Sequence, residues 1–250
     1  MSQRPATPAR TPHPRGFFRS HATLRSLRRH PVRTIALALA VALLALWTLA
    51  AFTLLAARFI DPPTTAVHIE RRLQAWASHT PYHPRFTFVP LTQISPNLQH
   101  AVIAAEDARF YLHHGFDWHQ IQIAADQDMD GGRTRGASTL TQQLVKNLFF
   151  GTGRSFLRKG AEASLVPVAE LVLGKRRILE LYLNLVEWGP NGIYGADAAS
   201  RYYYRTPPSA LDRQQSAQLA AILPAPRKRR PERMTHYSEI IQTRMRQMGW

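Results

Sequence analysis

Residues 136–147 read Gly136-Ala-Ser-Thr-Leu-Thr-Gln-Gln-Leu-Val-Lys-Asn147. Leu140, Leu144 and Leu148 recur every four residues, the spacing of one face of a helix. Beside that stripe stand Ser138, Thr139, Thr141, Gln142 and Gln143 and then the ammonium of Lys146, all within about three helical turns. Few cores tolerate so many polar groups. A glycine-led Ser/Thr/Gln cluster can orient sugar hydroxyls or phosphate oxygens, with Lys146 as a point charge near one end. An N-capped helix facing solvent would use the same residues. The missing Gly-Lys-Ser/Thr ending excludes a Walker loop.

Toward the C-terminus, Lys146, Arg154, Arg158 and Lys159 precede Glu162, with Arg158 and Glu162 at i, i+4 on a shared helix face. An ordinary surface ion pair accounts for that pair alone. Cations clustered beside a carboxylate also suit a pyrophosphate leaving group, whose developing charge must be neutralised as the bond breaks. Lys175 to Asn184 reads as an amphipathic scaffold helix, with Asn184 placed to brace a neighbouring turn. Gly189 to Gly195 reads as a glycine-rich turn leading into Ala196 to Tyr204, and Ala217 to Leu223 as a helix stopped by Pro224.

Toward the N-terminus, Asp126 to Arg135 reads as an exposed loop, with three aspartates, two glycines and two arginines. Glu106 closes the apolar run Ala101 to Ala105, where desolvation would raise its pKa and suit it to accept a proton; a surface glutamate on an amphipathic helix fits that position too. Ser95-Pro96 gives an N-cap with proline at N1, backed by Leu98, Val102 and Ala105. Only Phe86 to Leu91 reads as a strand. The expected fold class is therefore mainly α. The histidines show no ligand spacing, and His113-His114 beside Gly115 reads as helix-end packing, so no transition-metal site is expected.

The first 33 residues carry eight arginines, no acid and five prolines, a solvated basic tail. Thr34 to Ala57 then runs 24 residues without a charge, about 36 Å as a helix against a ~30 Å hydrocarbon core. A cleaved signal peptide would have a shorter apolar core and a shorter basic lead. The arginine excess keeps the tail cytoplasmic and exports the rest. The expected organisation is a tail at 1–33, a transmembrane helix at 34–57, a proline-containing linker at 58–68 and one domain at 69–250. With 45% hydrophobic and 19% charged residues the chain is not disordered by composition, and 250 residues leave no room for two large enzymatic domains beside an anchor. The net charge of +16 points to anionic partners, and the tail arginines supply only half of it. Absence of cysteine excludes disulfides, thiolate nucleophiles and Cys-ligated zinc.

Five segments in order resemble the signatures of the glycosyltransferase family 51 domain, the peptidoglycan glycosyltransferases. They are Glu106 to Gly115, Gly136 to Asn147, Arg158 to Glu162, Lys175 to Asn184 and Gly192 to Tyr203, within about residues 85 to 225. The chain is most similar to the monofunctional branch: nothing follows the domain, and no lysine has the serine three residues earlier that a penicillin-binding Ser-x-x-Lys requires. The resemblance implies a lysozyme-like, two-lobed fold with the smaller lobe against the membrane, and an inner membrane facing a periplasm. It implies polymerisation of lipid II: the acceptor's 4-hydroxyl attacks C1 of the growing chain's N-acetylmuramic acid, expelling undecaprenyl pyrophosphate with inversion. It makes Glu106 the general base and sets Glu162 beside the leaving pyrophosphate. Lys146, Arg154 and Arg158 fall on the donor's phosphates, with Lys159 as a further cation, and Ser138, Thr139, Gln142, Gln143 and Asn147 line or shape the donor pocket.

The partners so implied are lipid II, the growing glycan, membrane lipid and other cell-wall synthesis proteins, and no nucleic acid. No cofactor is required by the sequence, and Mg²⁺ is left open because no acidic cluster demands it. Two positions depart from the family pattern: Ile123 stands where members carry a basic residue, and Ala137 where many have glycine. A glycan-cutting hydrolase of similar architecture would give the cations no role, since its leaving group is neutral. A membrane-tethered scaffold with a dead site is the other rival.

Overall fold

The computed structural model describes residues 31–129, 138–153 and 155–250. Two compact units divide the described residues, the first ending at Leu46 and the second beginning at Trp47. The first contains the beginning of α1 (Pro31–Ala57), where Ile35, Leu39 and Leu43 are exposed, as expected of a helix whose solvent is lipid. All the remaining elements belong to the second unit.

Helices α2 (Ala66–Ala77), α3 (Pro96–Glu106), α4 (Trp118–Met129), α5 (Leu140–Phe149), α6 (Phe156–Leu185), α7 (Gly195–Tyr204), α8 (Arg213–Ile222) and α9 (Thr235–Gln247) dominate it, so the chain is mainly α. Their ends follow side-chain chemistry. Ser95 caps α3 by accepting the Asn97 N–H with Pro96 in the first turn, and Asp212 with Gln215 closes a capping box on α8. α5 packs on α6, and α3 on α8 and α9. Between these pairs Leu98, Val102, Leu144, Val166, Ile178 and Leu219 are buried.

The structure differs from the sequence reading at several places. The strand expected at 86–91 is only β1 (Arg85–Phe86), and Leu91–Gln93 is a 3₁₀ turn. That segment is held instead by side chains of α6: Asn184 bonds both backbone groups of Val89, and Glu180 accepts the Leu91 N–H. The 189–195 turn belongs to a hairpin of β2 (Glu187–Gly189) and β3 (Ile193–Tyr194), which β1 joins in parallel in the order β1-β3-β2. The expected loop at 126–135 is helical as far as Met129, and its remainder lies outside the described residues.

The linker ends one turn early, because Thr65 caps α2 by accepting the His68 N–H. Lys175 to Asn184 does not stand alone but continues α6, broken only at Gly174 (φ 70°, ψ 162°). At that break the chain turns so that Lys175 reaches back to Glu170 at 2.8 Å and lies 4.5 Å over the Phe110 ring. Only glycine occupies such a backbone conformation without strain.

Candidate active site

α3 ends where α5 begins, and Asp107 makes the joint. It follows Glu106 as the cap of α3 and accepts the Leu140 N–H of α5 at 3.0 Å. His113 donates from Nε2 to the same carboxylate at 2.9 Å, while its Nδ1 accepts the Gly115 N–H, which fixes a single tautomer. Thr139 donates to the Gly115 carbonyl at 2.7 Å and closes a capping box with Gln142. Thr139 and Gln142 are therefore buried and committed to the start of α5. Ser138, just before them, is exposed.

The joint brings Gln143, one turn into α5, onto Glu106. Its Nε2 donates to Glu106 Oε2 at 2.9 Å, and its Oε1 accepts from the buried Tyr182 hydroxyl at 2.8 Å. A carboxamide so held can present only its N–H to the carboxylate. Burial raises the Glu106 pKa above the ordinary carboxylate range; the Gln143 hydrogen bond and the charges of Lys146 and Arg229 oppose it, and Asp107 adds to it. Asn147 donates to the Gln143 backbone carbonyl at 2.8 Å, so its amide serves α5 itself.

Lys146 lies one turn further, half-buried. Desolvation lowers its pKa, the Glu162 carboxylate opposes that most strongly, and the positive charges of Lys159 and Arg158 add to the lowering. Glu106 also raises it, so the same ammonium feels both carboxylates. Glu162 is buried on α6, and Lys159 donates to it at 2.7 Å. The pairing expected for Arg158 is thus made by Lys159 at i, i+3. Arg158 turns the other way and donates to the Phe150 and Gly151 carbonyls at 3.5 and 3.3 Å, leaving its buried Nε without a protein partner. Arg154 lies outside the described residues. Ile123 is half-buried on α4.

Four participants were not singled out for these places by sequence: Asp107, His113, Tyr182 and Arg229. Arg229 belongs to the basic run 227–230, the visible signal that could have found it; it donates to the Ala221 carbonyl at 2.8 Å and lies over the Tyr237 ring. Arg244 reaches the end of α3, donating to the Ala104 carbonyl at 3.4 Å.

Asp107, His113 and Asp117 bring donor atoms within 4.8 Å of one another, a grouping that their sequence spacing conceals. Each already has work. His113 uses both ring nitrogens, Asp107 takes two donors, and Asp117 caps α4 through Gln120 and pairs with Arg109. The cluster could hold a metal ion, a grouping the sequence reading did not expect, and its side chains also make the hydrogen bonds of the α3–α5 joint.

A family model described as Transglycosylase matches residues 73–248. Relatives named biosynthetic peptidoglycan transglycosylase are similar over most of the chain. One from Pseudomonas putida is 47% identical over 196 residues, covering 77% of this chain and 83% of its own. One from Pseudomonas entomophila is 46% identical with the same coverage, and one from Pseudomonas syringae pv. tomato is 45% identical over 80% of this chain and 86% of its own.

Proposed function

The chain belongs to the transglycosylase family, and on that premise we propose that it is a peptidoglycan glycosyltransferase polymerising lipid II into glycan strands. The fold is accordingly the lysozyme-like glycosyltransferase fold preceded by one apolar helix. Glu106 takes the proton of the acceptor's 4-hydroxyl as that oxygen attacks C1 of the donor. The C1–O bond to phosphate breaks, configuration inverts, and the diphosphate leaves with the bonding electrons. A raised pKa suits Glu106 to hold that proton, and Gln143, fixed by Tyr182, aims its carboxylate.

The leaving group is already a stable anion, so no acid need protonate it. Lys146, Arg158 and Arg154 receive its charge, and Glu162 holds Lys159. Ser138 faces the donor directly, whereas Thr139, Gln142 and Asn147 shape the pocket by holding α5. The observation that most supports the reading is the place of Lys146, an ammonium under the influence of the proposed base and of the carboxylate among the cations.

The apolar helix α1 anchors the chain in the membrane. We place the basic tail in the cytoplasm and the domain in the periplasm, on an inner membrane, with lipid II, glycan, membrane lipid and other wall-synthesis proteins as partners. No lysine follows a serine by three residues, so these residues carry no transpeptidation.

Purified protein given lipid II should yield polymer, and Glu106→Gln should lower turnover by about 10²–10⁴-fold with the fold intact. Undiminished turnover would remove Glu106 from the chemistry. Soluble fragments from intact sacculi, without polymer, would favour a hydrolase.

A further inference from the structure

The end of α2 and the β2–β3 hairpin enclose a polar cavity of about 110 Å³, and none of its lining residues belongs to the site described above. Arg71 and Gln74 come from α2, Tyr82 from the segment before β1, Glu187 and Asn191 from the hairpin, and Arg227 from the chain after α8. Two features hold the walls together. Gly192 (φ +80°) follows Asn191, and a Cβ there would collide with the Tyr82 hydroxyl and with Pro84, so the hairpin turn meets the 82–84 segment only through glycine. Tyr82 in turn shares a 2.7 Å hydrogen bond with the hydroxyl of the buried Tyr194.

Glu187 is 8% exposed, and its hydrogen bonds fall on one oxygen. Its Oε2 accepts from Arg71 Nε at 3.2 Å and Nη2 at 3.0 Å, while Arg71 Nη1 donates to the Gln74 side-chain oxygen at 2.9 Å. Oε1 has no hydrogen-bond partner among the described residues. Burial raises the Glu187 pKa, and the charges of Arg71 and Arg227 offset that only in part, so the carboxylate is short of compensation. Arg227 is exposed, and its side chain makes no hydrogen bond or ion pair among the described residues.

A carboxylate oxygen and a guanidinium therefore line one small space without partners. A lone anion there is repelled by Glu187, and a lone cation by two arginines. An ammonium and a carboxylate on the same carbon satisfy both, the first donating to Glu187 Oε1 and the second accepting from Arg227. The volume lies below the ~300–1,000 Å³ of drug-sized ligand sites, so it suits a head group rather than a whole sugar or nucleotide. We propose that this cavity binds a zwitterionic amino-acid head group, with Glu187 and Arg227 as its two poles.

The test titrates full-length protein in detergent micelles, by calorimetry, with glycine, with acetate and with methylammonium. Glycine should bind saturably, and either half-molecule about tenfold more weakly or worse. Arg227→Gln should weaken glycine binding about tenfold, and Glu187→Gln likewise where thermal unfolding shows it folded. Lys228→Gln, next to Arg227 but outside the cavity lining, should bind glycine as wild type does. No saturable glycine binding, a half-molecule that binds as tightly as glycine, or an Arg227→Gln variant that matches wild type overturns the proposal. None of these measurements needs turnover, so their failure leaves the glycosyltransferase reading standing. A free amino acid and the peptide of a wall precursor both carry this chemistry, and lipid II turnover separates them. A raised KM with unchanged kcat in Arg227→Gln assigns the site to the precursor's peptide, and an unchanged KM assigns it to a free amino acid.

Discussion

At the scale of single residues, the site is a set of opposed influences on Glu106. Burial lifts its pKa, and the Gln143 N–H, favouring the charged form, pulls the other way. A base must be ionised to accept a proton, so kcat/KM falls as pH drops through that raised pKa. Gln143→Leu removes the opposing hydrogen bond, so the pKa rises further and the acidic limb of the pH–rate profile moves to higher pH. Superimposable profiles for variant and wild type would detach Gln143 from the base. Sequence exposed the identity of these groups but not their pairing. Lys159 rather than Arg158 meets Glu162, since both i+3 and i+4 spacings lie on one face and rotamers choose between them. The resemblance sets Thr139 and Gln142 at the donor pocket, and the hydrogen bonds from Thr139 to Gly115 and between Thr139 and Gln142 form the helix cap that composition alone also allowed.

At the scale of elements, caps and four-residue stripes were readable because they are local: Ser95-Pro96 before α3 and Leu140, Leu144, Leu148 along α5 need no distant partner. What escaped was long-range. The β1–β3 pairing joins residues about a hundred positions apart, and the 86–91 segment is shaped by Asn184 and Glu180 rather than by its own alternation. The reading of Lys175 to Asn184 as a helix of its own leaves out the first half of α6, which joins it through the break at Gly174. Here it sets the direction of the second half of α6, which supplies Tyr182 to the site. Gly174→Ala should cost about 1–3 kcal/mol by forcing a side chain onto this backbone, read as a lower urea midpoint with an unchanged slope. A midpoint equal to wild type would mean that the helix straightens there without penalty.

At the scale of the whole molecule, the charge-free run from 34 to 57 reads as one object, but the structure divides it. Trp47 to Ala57 belongs to the same compact unit as the domain. Trp47 donates to Ser164, Leu54 and Ala57 are buried, Arg58 donates to the Val172 carbonyl at 2.6 Å, and Arg177 binds the Ala57 carbonyl and Asp61. The contacts advance together along α1 and α6, so the end of the apolar helix lies alongside the helix that carries Arg158, Lys159 and Glu162. Sequence hid this because the face used is Leu and Ala, indistinguishable from its exposed neighbours. A chain beginning at residue 47 should therefore keep the thermal midpoint of the full protein in the same detergent. One beginning at residue 59 loses a buried leucine and several hydrogen bonds, on the order of 3–5 kcal/mol, and should melt well below it. Equal midpoints for the two truncations would show that the helix end leans on the domain without stabilising it. The site would then owe its geometry to the α3–α5 joint at Asp107 alone.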